Sequence, residues 1–128
     1  MPLVKIHLRK GKGEEYLRLV SEAIHEALVT AVSAPADGKI QIFNQLEPHE
    51  LLAHPSYSGV DRTDALIIVE VTLNAGRTVE VKRNLYRRIA RNLERAVSLR
   101  PDDLVVSLVE VSREDWSFGK GLATYAED

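Results

Sequence analysis

The sequence contains no cysteine among its 128 residues. Disulfide bonds, thiolate metal sites and cysteine nucleophiles are therefore excluded. Long apolar runs are also missing, because no stretch approaches the ~20 apolar residues that a membrane helix needs. Lys5 and Arg9 interrupt any apolar region that could serve as a signal peptide. We therefore expect a cytoplasmic protein with no membrane association.

Neither sign of charge dominates the composition. The chain has 17 basic and 19 acidic residues, and its formal net charge is -2. Such a balance does not indicate a surface for nucleic acid or another polyanion. The apolar share of 45% and the charged share of 28% are ordinary for a globular protein. Residues 1–128 are accordingly expected to form one domain.

The first part of the chain changes its hydrophobic period twice. Residues 2–9 alternate between apolar and polar side chains, as a half-buried strand does, and Gly11 and Gly13 end this pattern. From Glu14 the apolar residues follow a helical spacing as far as Ala31. After the helix-breaking residues 34–38, residues 39–45 alternate again. This order predicts a strand, a helix and a second strand.

The same order returns later in the chain. Residues 65–73 predict a third strand, residues 78–99 a second helix and residues 104–111 a fourth strand. Residues 46–64 form the connection, which could include a short helical turn near residues 49–52. The segment after Val111 contains turn residues and three aromatic side chains, which predict a short hairpin or arm.

A shift of 65 positions superposes the two halves. It places Gly11 and Lys12 on Gly76 and Arg77, and it aligns the inward apolar residues of the two helices. We interpret residues 2–45 and 65–111 as half-repeats. Each strand-helix-strand unit should join parallel strands by a right-handed crossover. The predicted fold is an α/β (α+β) domain with a four-stranded mixed sheet and both helices on one face.

Pro2 is the residue that could carry out the most unusual chemistry. Aminopeptidases remove an initiator methionine when the next side chain is small, which here would expose a secondary amine at the start of a strand. A neutral amine base at pH 7 requires desolvation or neighbouring cations, because α-amino groups ordinarily titrate at ~7.7 to 8.0. The adjacent Leu3 and Val4 could provide the desolvation.

With Met-Pro at its start, DRTDALIIVEVTLNAGRTVEVKRNLY in its second half and DWSFGKG near its end, the chain resembles the tautomerase superfamily. The resemblance covers nearly the whole length and is greatest for the malonate semialdehyde decarboxylase-like branch. It implies a duplicated β-α-β fold, assembly as a homotrimer and cofactor-independent chemistry on a small oxo-acid substrate.

The resemblance also implies roles for individual residues. Pro2 would be the general acid/base, Arg77 would bind the substrate carboxylate, and Trp116 and Phe118 would form an apolar wall. Asn74 would be a further substrate-binding residue. A guanidinium matches a carboxylate in bidentate fashion and disfavours protonation of a nearby amine. The alternative for Arg77 is a solvated turn residue, and the alternative for the two aromatic residues is core packing or a subunit contact.

Asp37 lies in the loop where the decarboxylase branch holds a catalytic acid. Alignment on Pro35 instead places Gly38 at that position. The decarboxylase pattern also carries two arginines separated by one residue, whereas this chain has Arg77 alone in that stretch. We therefore expect keto-enol tautomerisation of 2-oxo acids. The alternatives are a malonate semialdehyde decarboxylase-like activity and a non-catalytic trimeric binding module.

The other groups of histidine, glycine and arginine residues indicate no additional chemistry. The four histidines lack the spacing of metal ligands, and the glycines form no phosphate loop, so neither a metal nor a cofactor is expected. Arg83, Arg87, Arg91 and Arg95 recur every four residues on the second predicted helix. We expect glutamates of the first helix or of another subunit to pair with them. The alternative is an anionic partner such as nucleic acid.

Overall fold

The computed structural model describes residues 2–126 and contains two strand-helix-strand units. Each unit begins with a strand, continues through a 19-residue helix and ends with a second strand. The main elements are β1 (Leu3–Arg9), α1 (Glu14–Val32), β2 (Ile40–Leu46), β3 (Ile67–Asn74), α2 (Val79–Val97) and β4 (Leu104–Val111). All six were predicted from the hydrophobic period, with ends that differ by two residues at most.

The four strands form one mixed sheet in the order β2-β1-β3-β4. β1 is parallel to β2, β3 is parallel to β4, and the two central strands β1 and β3 are antiparallel. The predicted fold class is therefore confirmed. Because β1 and β3 run in opposite directions, the start of β1 lies at the same edge of the sheet as the end of β3.

Both helices pack on one face of the sheet. Val4, Ile6 and Leu8 of β1 point into this layer and are almost completely buried. Fully buried side chains of α2 meet them at helical spacing, namely Leu85, Ile89 and Leu93. Burial of each such side chain contributes roughly 1.5 to 3 kcal/mol. The apolar stripes of the sequence thus form the core between sheet and helices.

Each element of the first unit has a counterpart 65 positions later. α1 and α2 begin and end at residues related by this shift, and each is followed by a serine in the left-handed conformation, Ser33 or Ser98. Gly11 and Gly76 both have φ near +119°, a conformation that L side chains rarely adopt. Short 3₁₀ turns also correspond, at Pro48–Glu50 and Arg113–Asp115.

Among residues 2–126, no helix covers the other face of the sheet. It exposes large apolar side chains on the two edge strands, with relative exposures of 40% for Ile40, 44% for Ile42 and 45% for Val109. Near its centre, His7 Nε2 lies 2.6 Å from Glu70 Oε2. We call this surface the open face. After β4 the chain follows an arm without strand structure as far as Ala126.

A buried carboxylate fixes the long connection between the units. Asp103 has no exposed surface, and its side chain accepts hydrogen bonds from the backbone N–H of Thr63 at 2.6 Å and from Thr63 Oγ1 at 2.7 Å. Arg100 Nη1 lies 3.6 Å from the same carboxylate. These contacts compensate the cost of burying the charge.

Within the described chain, the four arginines spaced four residues apart on α2 form no ion pair with glutamates of α1. Arg83 forms an ion pair with Glu80 of its own helix, and Glu26 of α1 pairs instead with Arg88, which lies outside the row. Within residues 2–126, Arg87, Arg91 and Arg95 form no ion pair. No helix in this part of the chain is long and apolar enough to cross a membrane.

Candidate functional site

Pro2 is buried and directly precedes β1. The next residue, Leu3, pairs with Ile40 at the start of β2 and with Thr72 near the end of β3. Pro2 therefore lies at the edge of the sheet where β1 and β2 begin and where β3 and β4 end. The predicted removal of Met1 concerns a residue outside the described part of the chain.

The arm after β4 returns to this edge and supplies an aromatic wall. The rings of Trp116 and Phe118 stack with centroids 4.8 Å apart, and the edge of Tyr125 meets Phe118 at 5.5 Å. A cavity of about 220 Å³ lies among Leu3, Ile40 and the arm residues 116–118. Stacked and edge-to-face rings hold one another in place and exclude water. Pro2 is thus adjacent in sequence to a residue that lines an apolar cavity.

A larger cavity of about 700 Å³ lies within the arm itself, lined by residues 118–124 and Ala126. Lys120 is the only titratable residue in this lining. The cavity beside Leu3 is smaller, but it is lined by the residue that follows Pro2 and by the wall formed by Trp116. We therefore take the smaller cavity as the candidate active site.

Asn74 connects the aromatic wall to the predicted cation. Its Oδ1 accepts a hydrogen bond from Trp116 Nε1 at 2.7 Å, and its backbone carbonyl accepts one from Arg77 Nη1 at 2.9 Å. Asn74 is the last residue of β3, so the regular strand fixes the position of both contacts. The structure therefore brings Asn74, Arg77, Trp116 and Phe118 together at one edge of the sheet.

Arg77 is held by two neutral acceptors. Besides the Asn74 carbonyl, Nη2 donates to the carbonyl of Val32 at the end of α1, at 2.9 Å. A guanidinium has five N–H donors, so these two bonds leave three donors free for an anion. Backbone carbonyls do not neutralise the positive charge. Arg77 therefore has a structural role, and its remaining donors can still bind a carboxylate.

A carboxylate near Arg77 was missed by the sequence analysis. Lys82 Nζ lies 2.8 Å from Glu110 Oε1. This bond is the main cause that lowers the pKa of Glu110, and the Gly76 N–H and the charge of Arg77 also contribute. Glu110 is a lone charge in an otherwise uncharged strand, which could have drawn attention to it. Its anion partly balances Arg77 and Lys82.

Asp37 is the predicted residue that the structure does not connect to the others. It lies exposed in a turn that is closed by a hydrogen bond from Gly38 N to the Pro35 carbonyl at 3.0 Å. Its side chain forms no hydrogen bond or ion pair with another residue of the described chain. Gly38, the alternative position, is buried. The turn nevertheless precedes β2 at the edge where Pro2 lies.

No group of three or more histidine, aspartate or glutamate side chains within residues 2–126 is arranged to hold a metal ion. The chemical groups that lie near this edge of the sheet are the Arg77 guanidinium, the Asn74 amide, the Glu110 carboxylate and the aromatic rings, together with Pro2. Such a set can bind a small carboxylate beside an apolar wall.

Sequence comparison finds relatives over almost the entire chain. Two family models described as "Tautomerase enzyme" match residues 38–119 and residues 2–60. The probable tautomerase YusQ of Bacillus subtilis (strain 168) is 39% identical over 127 residues, which cover 99% of this chain and 100% of that protein.

Solved structures give the same relationship. A crystal structure of malonate semialdehyde decarboxylase is 33% identical, with a TM-score of 0.90 over 96% of this chain and 95% of the other. A fused 4-OT in a symmetric trimer is 23% identical and shares the fold, with a TM-score of 0.78 over 96% and 97% of the two chains. Together with the matching family models, these likenesses show that the chain belongs to the tautomerase superfamily of enzymes.

Proposed function

We propose that this enzyme is a cofactor-independent tautomerase of small 2-oxo acids, with the amine of Pro2 as its general acid and base. The observation that carries the proposal is the position of Pro2, which is buried and directly precedes Leu3, a residue that lines a cavity walled by Trp116 and Phe118. The probable tautomerase YusQ, 39% identical over nearly the full length, supports the same reaction class.

The reaction requires a neutral Pro2 nitrogen, because only an amine with a free lone pair can accept a proton. The nitrogen takes the proton of the enol hydroxyl, and the oxygen lone pair forms the carbonyl. The electron pair of the carbon-carbon double bond then takes the proton back from the prolinium at the neighbouring carbon. Proton transfer of this kind contributes typically 10² to 10⁴-fold to a rate.

The surroundings favour the neutral amine and bind the acid group. Burial disfavours the charged form of an amine and lowers its pKa, and a nearby guanidinium acts in the same direction. Arg77 would bind the substrate carboxylate through its free N–H donors, and the amide N–H groups of Asn74 would assist. Trp116 and Phe118 would cover the apolar part of the substrate. Asp37 would enter the site only if its exposed turn moved toward the cavity.

We propose that this chain assembles as a homotrimer. The fused 4-OT of the same fold is a symmetric trimer. The open face of this chain exposes Ile40, Ile42 and Val109, which a monomer would leave in contact with water. Association through this face would bury them and would place neighbouring subunits close to the edge that carries Pro2.

Decarboxylation of malonate semialdehyde is the second candidate. It is favoured by the 33% identity and the TM-score of 0.90 with a malonate semialdehyde decarboxylase. The single cation of the stretch 74–77 is less suited to it, because departure of CO₂ requires polarisation of the β-carbonyl in addition to orientation of the acid.

A non-catalytic binding module is the third candidate, and the unpaired arginines of α2 are the feature that favours it. It predicts salt-dependent binding of an anionic partner that is lost when Arg87 and Arg91 are replaced.

The test is an ultraviolet assay of enol decay with phenylenolpyruvate and with 2-hydroxymuconate. The protein must have a free Pro2 terminus, established by intact mass. Pro2→Ala should lower kcat/KM about 10²-fold, whereas Pro101→Ala, at an exposed proline remote from the site, should not change it. An unchanged rate in Pro2→Ala would refute the proline mechanism. Turnover of malonate semialdehyde without enol decay would favour the decarboxylase.

A further inference from the structure

A second pocket lies at the opposite edge of the sheet from Pro2. Its volume is about 420 Å³, and it forms where β1 and β2 end and β3 begins. Three of its lining residues are cationic and one is anionic, namely Arg9, Lys10, Lys12 and Asp64. We call it the Arg9 pocket.

Under the 65-residue shift, the Arg9 pocket contains the counterparts of Asn74 and Arg77. The shift relates Arg9 to Asn74, Lys12 to Arg77 and Leu51 to Trp116. Arg9 Nη2 donates to the Leu51 carbonyl at 2.8 Å, just as Trp116 and Asn74 are joined by a hydrogen bond of 2.7 Å. In both halves, therefore, the last residue of the first strand contacts a residue that follows the 3₁₀ turn.

The counterpart of Pro2 differs in its chemistry. It is Ile67, whose nitrogen is a backbone amide in the interior of the chain. An amide nitrogen has no basic lone pair and cannot exchange protons with a substrate near pH 7. The Arg9 pocket therefore retains cations but has no equivalent of the proposed base.

One guanidinium nitrogen in this pocket has no acceptor. Arg9 Nη1 is buried and forms no hydrogen bond with the described chain. Asp64 Oδ1 is 4.0 Å away, beyond hydrogen-bond range, and the Asp64 side chain is fully exposed. A buried charged donor without an acceptor costs free energy, which a bound anion would recover.

The other cations of the pocket differ in how far they are neutralised. Lys10 forms an ion pair with Glu47. Lys12 has an aromatic contact instead, with its Nζ 4.9 Å from the centre of the Tyr16 ring. Arg9 and Lys12 thus remain available to an incoming anion, since neither has a carboxylate within hydrogen-bond distance.

We propose that the Arg9 pocket binds a small carboxylate without turning it over. The Arg9 side chain, which is 18% exposed, would turn Nη1 towards the carboxylate, and Lys12 would add a second positive charge. The planar donors of a guanidinium match a carboxylate, and the cavity is large enough for a molecule of a few carbon atoms. The proposal does not depend on the reaction at Pro2, because it invokes binding alone.

The experiment is a titration of ¹⁵N-labelled protein with malonate, followed at the backbone amides of Gly11, Lys12 and Ala65. Trp116, the only tryptophan, reports the candidate active site by its fluorescence in the same samples. We expect malonate to shift all three amides in the wild-type protein. Arg9→Gln should weaken this binding about tenfold or more and leave the malonate response of Trp116 unchanged.

Further variants separate binding from folding. Arg9→Lys keeps the charge and should bind with intermediate affinity. Lys12→Gln, at an exposed side chain, should weaken binding severalfold even if Arg9→Gln fails to fold. Arg87→Gln removes the same charge from the exposed face of α2 and should leave binding unchanged.

Three results would overturn the proposal. The first is the absence of amide shifts in the wild-type protein, and the second is equal affinity in the wild type and in Arg9→Gln and Lys12→Gln. The third is tighter binding of inorganic phosphate than of malonate at the same amides, which would assign the pocket to a tetrahedral oxyanion.

Discussion

Arg77 is a single residue with two roles, one in stability and one proposed in substrate binding. Its two bonds to the carbonyls of Asn74 and Val32 join the end of β3 to the end of α1. Its remaining donors are those that the proposed mechanism assigns to the substrate carboxylate. A substitution therefore affects stability and substrate binding together, and the two effects must be measured separately.

Arg77→Gln should raise KM for an enol oxo acid about tenfold or more, because the charge-assisted bonds to the carboxylate are lost. It should also lower the free energy of unfolding by about 1 to 3 kcal/mol, since two carbonyls lose their donor. Steady-state kinetics and urea unfolding measure the two quantities. Arg77→Lys should give intermediate values, and Arg87→Gln serves as the control. A lower stability with an unchanged KM would show that Arg77 is structural only.

Among the secondary-structure elements, the two helices are linked by a polar cluster. Glu26 of α1 accepts hydrogen bonds from Arg88 Nε at 3.0 Å and from Asn92 Nδ2 at 2.8 Å, both on α2. The bond to Arg88 is the main cause that lowers the pKa of Glu26 to about 2, and burial acts in the opposite direction. The cluster lies at the outer surface, where solvent screens it.

The lowered pKa of Glu26 predicts how the free energy of unfolding depends on pH. The folded pKa of Glu26 is below its ordinary value of 4.5, so the folded state binds fewer protons here than the unfolded state. The contribution is complete above about pH 4.5 and is lost as the pH falls towards 2. Glu26→Gln should lower the urea midpoint at pH 7 slightly and weaken the acid dependence in this window.

Glu22→Gln is the matched control for that measurement, because Glu22 pairs with Arg18 of its own helix only. Urea unfolding at a series of pH values compares the two variants with the wild type. If Glu26→Gln kept the wild-type midpoint at pH 7 and the wild-type acid dependence, the link between the helices would contribute nothing to stability.

Periodicity predicts the elements well because it records which side chains face the core. The alternation of Val4, Ile6 and Leu8 and the helical spacing of Leu85, Ile89 and Leu93 are local signals, and all six residues are buried. Ion pairs carry no such signal. The sequence predicted partners on α1 or on another subunit for the row from Arg83 to Arg95, yet within the chain Glu26 of α1 pairs with the neighbouring Arg88. Helix rotation, which decides this, depends on tertiary packing.

The site itself is only partly predictable, because its contacts join distant segments. The bond from Trp116 to Asn74 spans 42 positions, and that from Arg77 to Val32 spans 45. No local pattern specifies either of them. The resemblance of DWSFGKG and the Gly76-Arg77 turn to the tautomerase superfamily indicated the residues, but not that Asn74 joins them or that Asp37 lies apart.

The open face determines the expected behaviour of the whole molecule. A homotrimer of this 14.3 kDa chain should appear by size-exclusion chromatography with light scattering, because association buries the exposed isoleucines. Ile42→Asp should shift the protein to monomers by placing a charge in the interface. Leu52→Asp, at a loop side chain with 84% exposure, should leave the trimer intact. A wild-type monomer, or a trimeric Ile42→Asp variant, would contradict this assembly.

The proposed role of the Pro2 nitrogen as a free amine can be tested without changing any side chain. One preparation would retain Met1, and a second would be treated with methionine aminopeptidase until intact mass shows complete removal. We predict that kcat/KM for phenylenolpyruvate is at least about 10²-fold higher in the processed protein, the contribution expected of a positioned acid/base group. Equal rates in the two preparations would show that Pro2 is not the base, because an amide nitrogen cannot accept the proton.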